Sequence, residues 1–362
     1  MPEEKGKWIT TKTKRHVFIP EGQSIEEVLN EEFDSEPGND IIFSEDLISK
    51  SQDLNDDEKE FIRTTHKNIK PEAVEMLNHF NNVKMIKINN NKPSCFNRST
   101  KTIEITPDSL KEIEPGTDFH ATGQTMLHEE GHYIDNELSR YIVSHGIYAS
   151  SSYISDKYKK SLHDMIKTEK SKLSRVEGVK MLFDASLSYF EKFTDDENML
   201  KIKNFYEQHL NEAFDYAFKY VWKYDNFINR SSDNMGPFQD TMLKYMNNKI
   251  SEEFGIDNKN EFNSILYKSS YYGCQKYDIV SDMFSSRREY TQSKVACVGH
   301  GATYFNKRLY YGLGTEFFAS YFSAWSRNDI EEMEITKKYF PKSCEIFGEM
   351  ITKFKEKKNG RN

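Results

Sequence analysis

Cysteine is scarce in this chain. There are four in 362 residues, at Cys95, Cys274, Cys297 and Cys344, and no two form a C-x-x-C pair. That spacing argues against a thiolate metal site and leaves free, buried thiols as the expectation. A Cys297–His300 nucleophile has no sequence signature behind it. No run of 18 apolar residues occurs, so no membrane-spanning helix is expected. An excess of basic residues is also missing. Fifty Lys and Arg stand against 58 Asp and Glu, a net charge of −8, which argues against a nucleic-acid binder that neutralises phosphates. The first sixteen residues, MPEEKGKWITTKTKRH, lack the apolar core of a signal peptide. The expectation is a cytoplasmic protein as encoded, with lysis, packaging in a virion or delivery to a host as its routes out. Aromatic residues are plentiful by contrast. With 25 Phe and 21 Tyr, the chain can build a real core despite its polar average, and it is not of the disordered class.

The most specific chemical signal is His128-Glu129-Glu130-Gly131-His132, an H-E-x-x-H motif. Residues four apart share a helix face, so His128 and His132 can present two imidazole nitrogens to one metal ion. Glu129, beside the first of them, can act as general base toward the attacking water. Such a motif arises by chance in roughly one chain in forty of this composition, so context decides. The spacing predicts a helix over Asp118–Glu137, capped by Thr117 or Asp118 after Pro115-Gly116. Gly123 and Gly131 lower its propensity, and a glycine between two ligands fits a close approach by backbone or substrate. Asp135 falls on nearly the same face as His128, either orienting His132 or as a plain surface acid. His120 shares that face but lies about 12 Å up the axis, too far to be a ligand. Upstream, Val83–Ile88 and Lys101–Thr106 alternate as half-buried strands, with Asn97 and Ser99 as turn formers between them. The last strand before such a helix is expected at the cleft edge, where an extended substrate can add.

A catalytic zinc needs three protein ligands and an open position. The best downstream candidate is Glu316, at the start of the helix implied by the aromatic positions 317, 318, 321, 322 and 325. A buried carboxylate there needs a partner, which a zinc ion would be. A first-turn Glu favoured by the helix dipole is the plainer reading of the spacing.

The segment H-E-E-G-H-Y-I-D resembles the H-E-x-G-H-x-x-D helix of the anthrax lethal factor catalytic-domain family, which includes the clostridial Pro-Pro endopeptidases. That family's third ligand is a Glu opening an E-F-F-A helix, matching Glu316-Phe317-Phe318-Ala319. The resemblance also implies a Tyr that assists the oxyanion. The family's Tyr lies seven residues before the Glu, where this chain has Leu309, so the role passes to Tyr311, with Tyr310 in reserve. The run from Ser281 through Gly299-His300-Gly301, Tyr304, Glu316 and Tyr339-Phe340-Pro341 is similar to metallopeptidase-like domains of phage minor head proteins. His300, flanked by glycines, is a candidate for substrate contact, and Arg287-Arg288 could pair with a carboxylate of substrate or protein.

Four segments follow. Residues 1–35 form an N-terminal arm, with a hairpin around 7–20 and an acidic helix over Glu21–Phe33. Residues 36–154 carry two helices within 41–82, the strands and the H-E-x-x-H helix. Residues 155–262 read as a helical insertion, with helices over Lys157–Val176, Gly178–Phe193, Glu197–Tyr224 and Pro237–Phe254. Residues 263–362 carry the third ligand. The expected fold class is therefore α+β and mostly helical, a zincin-like domain with a large helical insertion. The expected function is zinc-dependent hydrolysis of a peptide bond in a protein or peptide substrate, possible for a toxin or prophage-encoded effector. The alternative is a phage structural protein that keeps a peptidase-like fold, with a phage particle or delivery machinery as partner.

Overall fold

The computed structural model describes residues 6–10, 16–20, 42–51, 54–83, 85–88, 93–110, 123–144, 146–172, 187–221, 235–285 and 312–360. Its contacts divide the chain into two compact units, Met1–Ile42 and Phe43–Asn362. In the first, β1 (Gly6–Thr10) pairs antiparallel with β2 (His16–Pro20), Trp8 opposite Phe18. The anticipated helix over 21–33 lies outside the described residues.

The second unit is α+β and mostly helical. The stretch expected to hold two helices holds three: α1 (Ile42–Lys50), α2 (Asp56–Lys67) and α3 (Pro71–His79). Asn55 explains the extra break. Its side chain accepts from the Glu58 amide while Glu58 reaches back to the Asn55 amide, a capping box that starts α2 afresh. Pro71 opens α3, where its missing N–H is not needed.

A three-stranded sheet follows: β3 (Met85–Ile88), β4 (Cys95–Asn97) and β5 (Thr102–Ile105), in the order β3-β5-β4. β5 runs parallel to β3 and antiparallel to β4. The last strand is thus central rather than at the edge. Its second neighbour is β4, which is too short to show an alternating pattern in the sequence. Asn97 does form the expected turn, its side chain accepting from the Ser99 and Thr100 amides. Ile86, Ile103 and Ile105 are buried beneath the sheet.

Among the described residues, the further helices are α4 (Gln124–Tyr141), the single turn α5 (Ala149–Ser152), α6 (Leu162–Lys170), α7 (Glu197–Val221), α8 (Met235–Phe254), α9 (Ile256–Lys276), α10 (Asp278–Ser285), α11 (Gly312–Ser326), α12 (Ile330–Tyr339) and α13 (Pro341–Lys358). The helix expected from Lys157 begins only at Leu162. Lys159 takes a positive φ of 53° in the turn before it, and Ser161 caps the true start by accepting from the Asp164 amide. Of the helix expected over Gly178–Phe193, residues 178–186 lie outside the described residues, and its last part, Phe190–Lys192, is a 3₁₀ turn. The helical stretch has its own apolar core. Phe190, Tyr206, Phe214, Met246 and Phe262 belong to one buried cluster. Buried Glu169 of α6 ties α13 on, accepting from the Lys342 and Ser343 amides at 2.9 and 3.0 Å. Among the described residues, no helix is long and apolar enough to cross a membrane. Cys344 is a buried thiol and Cys95 a half-buried one, and neither is in a disulfide.

Candidate metal centre

Two helices build the site, α4 with the motif and α11 with Glu316. α4 begins at Gln124, six residues later than expected. Gly123 stands before it with φ +80°, a conformation open mainly to glycine, and a Cβ there would lie 2.2 Å from Thr65 Cγ2. The predicted caps Thr117 and Asp118, and His120, lie outside the described residues. α11 begins at Gly312, so Glu316 sits in its second turn rather than at its start. That position removes the reading of a first-turn Glu favoured by the helix dipole, and its side chain has no solvent exposure.

The contact between the helices explains Gly131. A Cβ on it would lie 2.7 Å from Ala319 Cα and 2.8 Å from Ala319 O. The backbones therefore meet directly, between the two His of α4 and beside the Glu of α11. Glu316 Oε2 lies 3.5 Å from His128 Nε2 and 3.4 Å from His132 Nε2. The three ligand atoms all fall within 4.8 Å of one another. Ligands about 2.0–2.2 Å from a tetrahedral metal stand about 3.3–3.6 Å apart. Both His–Glu distances fall in that range. The donor set of two imidazoles and one carboxylate, brought together from helices far apart in sequence, can hold a metal ion.

The carboxylates draw positive charge to this point, which in the metal-free protein is a proton that a metal would have to displace. Burial opposes the charged form of His128, but the Glu316 carboxylate bonded to it, with Glu129 and Asp278 nearby, raises its pKa to about 9. Burial likewise opposes ionisation of Glu316, yet His132 and His128 hold it well below the usual carboxylate range. Anion and cation sites thus stabilise each other in the metal-free protein. Glu129, next to His128, is 5% exposed.

The surroundings brace this constellation. Ser320 Oγ lies 3.1 Å from His128 Nδ1. When Nε2 offers its lone pair to a metal, Nδ1 carries the proton and donates to that hydroxyl. Ser320→Ala is expected to weaken metal affinity about tenfold, the lower end for loss of such a partner; competition with a chelator measures it, and unchanged affinity removes the role. On α6, His163 Nδ1 accepts the Gly314 amide at 3.3 Å, holding the first turn of α11. Neither Ser320 nor His163 carried a signal in the sequence.

Every residue of α4 from Glu129 to Ser139 is buried, though many are polar. Such burial is tolerated only with partners. His66 faces Glu130, Asn82 and Lys101 meet Glu137, and Asn136 donates to the Ile147 carbonyl. Asp135 neither lies on the surface nor is taken up with His132. Its oxygens accept from the Ser150 amide at 2.7 Å and hydroxyl at 2.6 Å, anchoring α5. Burial still raises its pKa from 3.8 to about 7. An acid raised on folding binds its proton more tightly in the folded state, so its contribution to stability falls as pH rises from about 4 to about 7. Asp135→Asn removes that dependence. Denaturation of the metal-free proteins should show the variant faring better against wild type at pH 8 than at pH 5. The gain should be a few kcal/mol, since each tenfold change in proton affinity is worth roughly 1.4 kcal/mol. An equal difference at both pH values contradicts a raised pKa.

His300, Tyr310, Tyr311 and Arg287-Arg288 lie outside the described residues. No family model matches this chain, and neither do curated proteins or solved structures.

Proposed function

We propose that this protein is a zinc-dependent metalloendopeptidase with a zincin-like catalytic fold, related in its site to the lethal factor catalytic-domain group. The observation that carries the reading is the meeting of His128, His132 and Glu316, with both His–Glu separations in the range a tetrahedral metal requires, on the helix that also carries Glu129. A zinc ion bound there supplies Lewis acidity to water and to the scissile carbonyl. His128, His132 and Glu316 hold it from two helices whose backbones touch, so the ligand set is pre-organised. Glu129 takes the proton of the attacking water and delivers it to the leaving amine. Tyr311 or Tyr310 is proposed to donate to the tetrahedral oxyanion and His300 to contact substrate, which is a protein or peptide.

Metal content tests the reading. Wild type and a His128→Ala/His132→Ala double variant are purified without added metal and analysed by mass spectrometry, with Glu316→Ala alongside. The expected result is near one zinc per wild-type chain, lost in the double variant and largely lost without Glu316. No zinc in wild type even after reconstitution sinks the proposal. Wild-type zinc in Glu316→Ala removes that residue from the ligand set.

A further inference from the structure

Behind the metal-bearing face of α4 lies a second buried constellation. His66 Nε2 donates to the Glu130 carboxylate, 2.9 and 3.1 Å from its two oxygens. Both side chains are wholly buried. Ser44 Oγ is 2.5 Å from His66 Nδ1, and Phe43 meets the ring edge-on at 5.6 Å. Helices α1 and α2 thus fix the imidazole from two sides, and the imidazole grips the residue that follows Glu129.

Helix geometry gives this grip a consequence. Imidazole nitrogens stand roughly 6–7 Å from the axis of an α-helix, given a Cα radius of about 2.3 Å. A rotation of about 20° about that axis, the drift one heptad imposes, would carry them roughly 2 Å sideways. Metal–ligand distances tolerate about ±0.2 Å. The Gly131–Ala319 contact sets how near the helices come, but a contact without a side chain or hydrogen bond resists rotation little. The Ser323 hydroxyl holds the Gln124 carbonyl one turn earlier, and most other side-chain bonds of α4 lie past residue 132. Among the described residues, Glu130 is the side chain of the ligand-bearing turn with a two-oxygen hold outside the site itself.

Building on the metal reading above, we infer that His66 is a positioning residue for the metal centre: by gripping Glu130 it sets the rotation of α4, and with it the aim of His128, Glu129 and His132.

The test uses the full chain loaded with Co²⁺, whose visible spectrum reports ligand geometry, and Zn²⁺ affinity by chelator competition. His66→Ala should shift the cobalt spectrum and weaken zinc binding at least tenfold. His66→Gln, which restores one N–H toward Glu130, should recover part of both. Should His66→Ala not fold, the triple variant His66→Phe/Glu130→Leu/Ser44→Ala removes the two groups bonded to the imidazole together with it; it should fold, with the same shift and loss. A wild-type spectrum and affinity in either folded variant overturns the inference while leaving the metal reading intact. A wild-type protein that binds neither metal withdraws the metal reading, and this inference with it.

Discussion

Glu129→Gln is expected to keep its zinc and lose turnover by about 10²–10⁴-fold, the range for removing a positioned general base. The substitution keeps size and hydrogen-bonding reach but leaves no group able to take a proton from water. Glu129 is not among the three side chains whose ligand atoms converge, so metal content should remain near wild type. The residue is 5% exposed and its charge acts on His128. It is therefore close to the site and partly shielded from solvent, where a fixed base is most effective. The experiment digests a peptide library with both proteins and counts cleaved bonds by mass spectrometry, with zinc measured on the same samples. Cleavage by the variant at the wild-type rate would show that Glu129 is not the base. Loss of zinc together with activity would instead make Glu129 structural.

His128, Glu129 and His132 were readable in the sequence because their relation is local: one helix and a four-residue step. Glu316 lies 184 residues beyond His132, and periodicity could place it on a helix but not beside the motif. Only the likeness of Glu316-Phe317-Phe318-Ala319 to a known pattern pointed there. Gly131 was legible as a close approach, though not what would approach it. The supporting groups were not legible at all. His66, His163 and Ser320 are ordinary letters until helices from distant segments pack together, and their roles exist only in the contact. The errors in helix boundaries share a cause. Asn55, Lys159 and Gly123 start, stop or turn the chain through backbone conformation and caps, which apolar spacing does not record. Asp135 shows the same limit. Its face on α4 was foreseen, but the Ser150 that takes up its carboxylate was not.

Gly131→Ala sets two effects of opposite sign against each other. In an exposed helix the change would stabilise by roughly 1 kcal/mol through propensity. Here the new methyl would meet Ala319 Cα at 2.7 Å, its carbonyl oxygen at 2.8 Å and its carbonyl carbon at 3.2 Å. Carbon atoms pack at about 3.5–4.0 Å, so α4 and α11 must part by about 1 Å. Overpacking of this kind costs about 1–3 kcal/mol, enough to reverse the propensity gain. The larger effect falls on the metal. His128 and His132 ride on one helix and Glu316 on the other, so the same movement opens the ligand triangle by several times the tolerance of about 0.2 Å. Zinc affinity should fall about 100-fold, while Glu129 and all three ligands remain in the sequence. Chelator competition and thermal unfolding of the metal-free proteins read the two effects separately. A variant that is more stable than wild type and holds zinc as tightly would mean that propensity wins and the helices do not meet at this point. The substitution Ala319→Gly provides a control. The obstructing atoms belong to the backbone of residue 319, so trimming its side chain should not rescue Gly131→Ala, whereas rescue would place the clash on the methyl group instead.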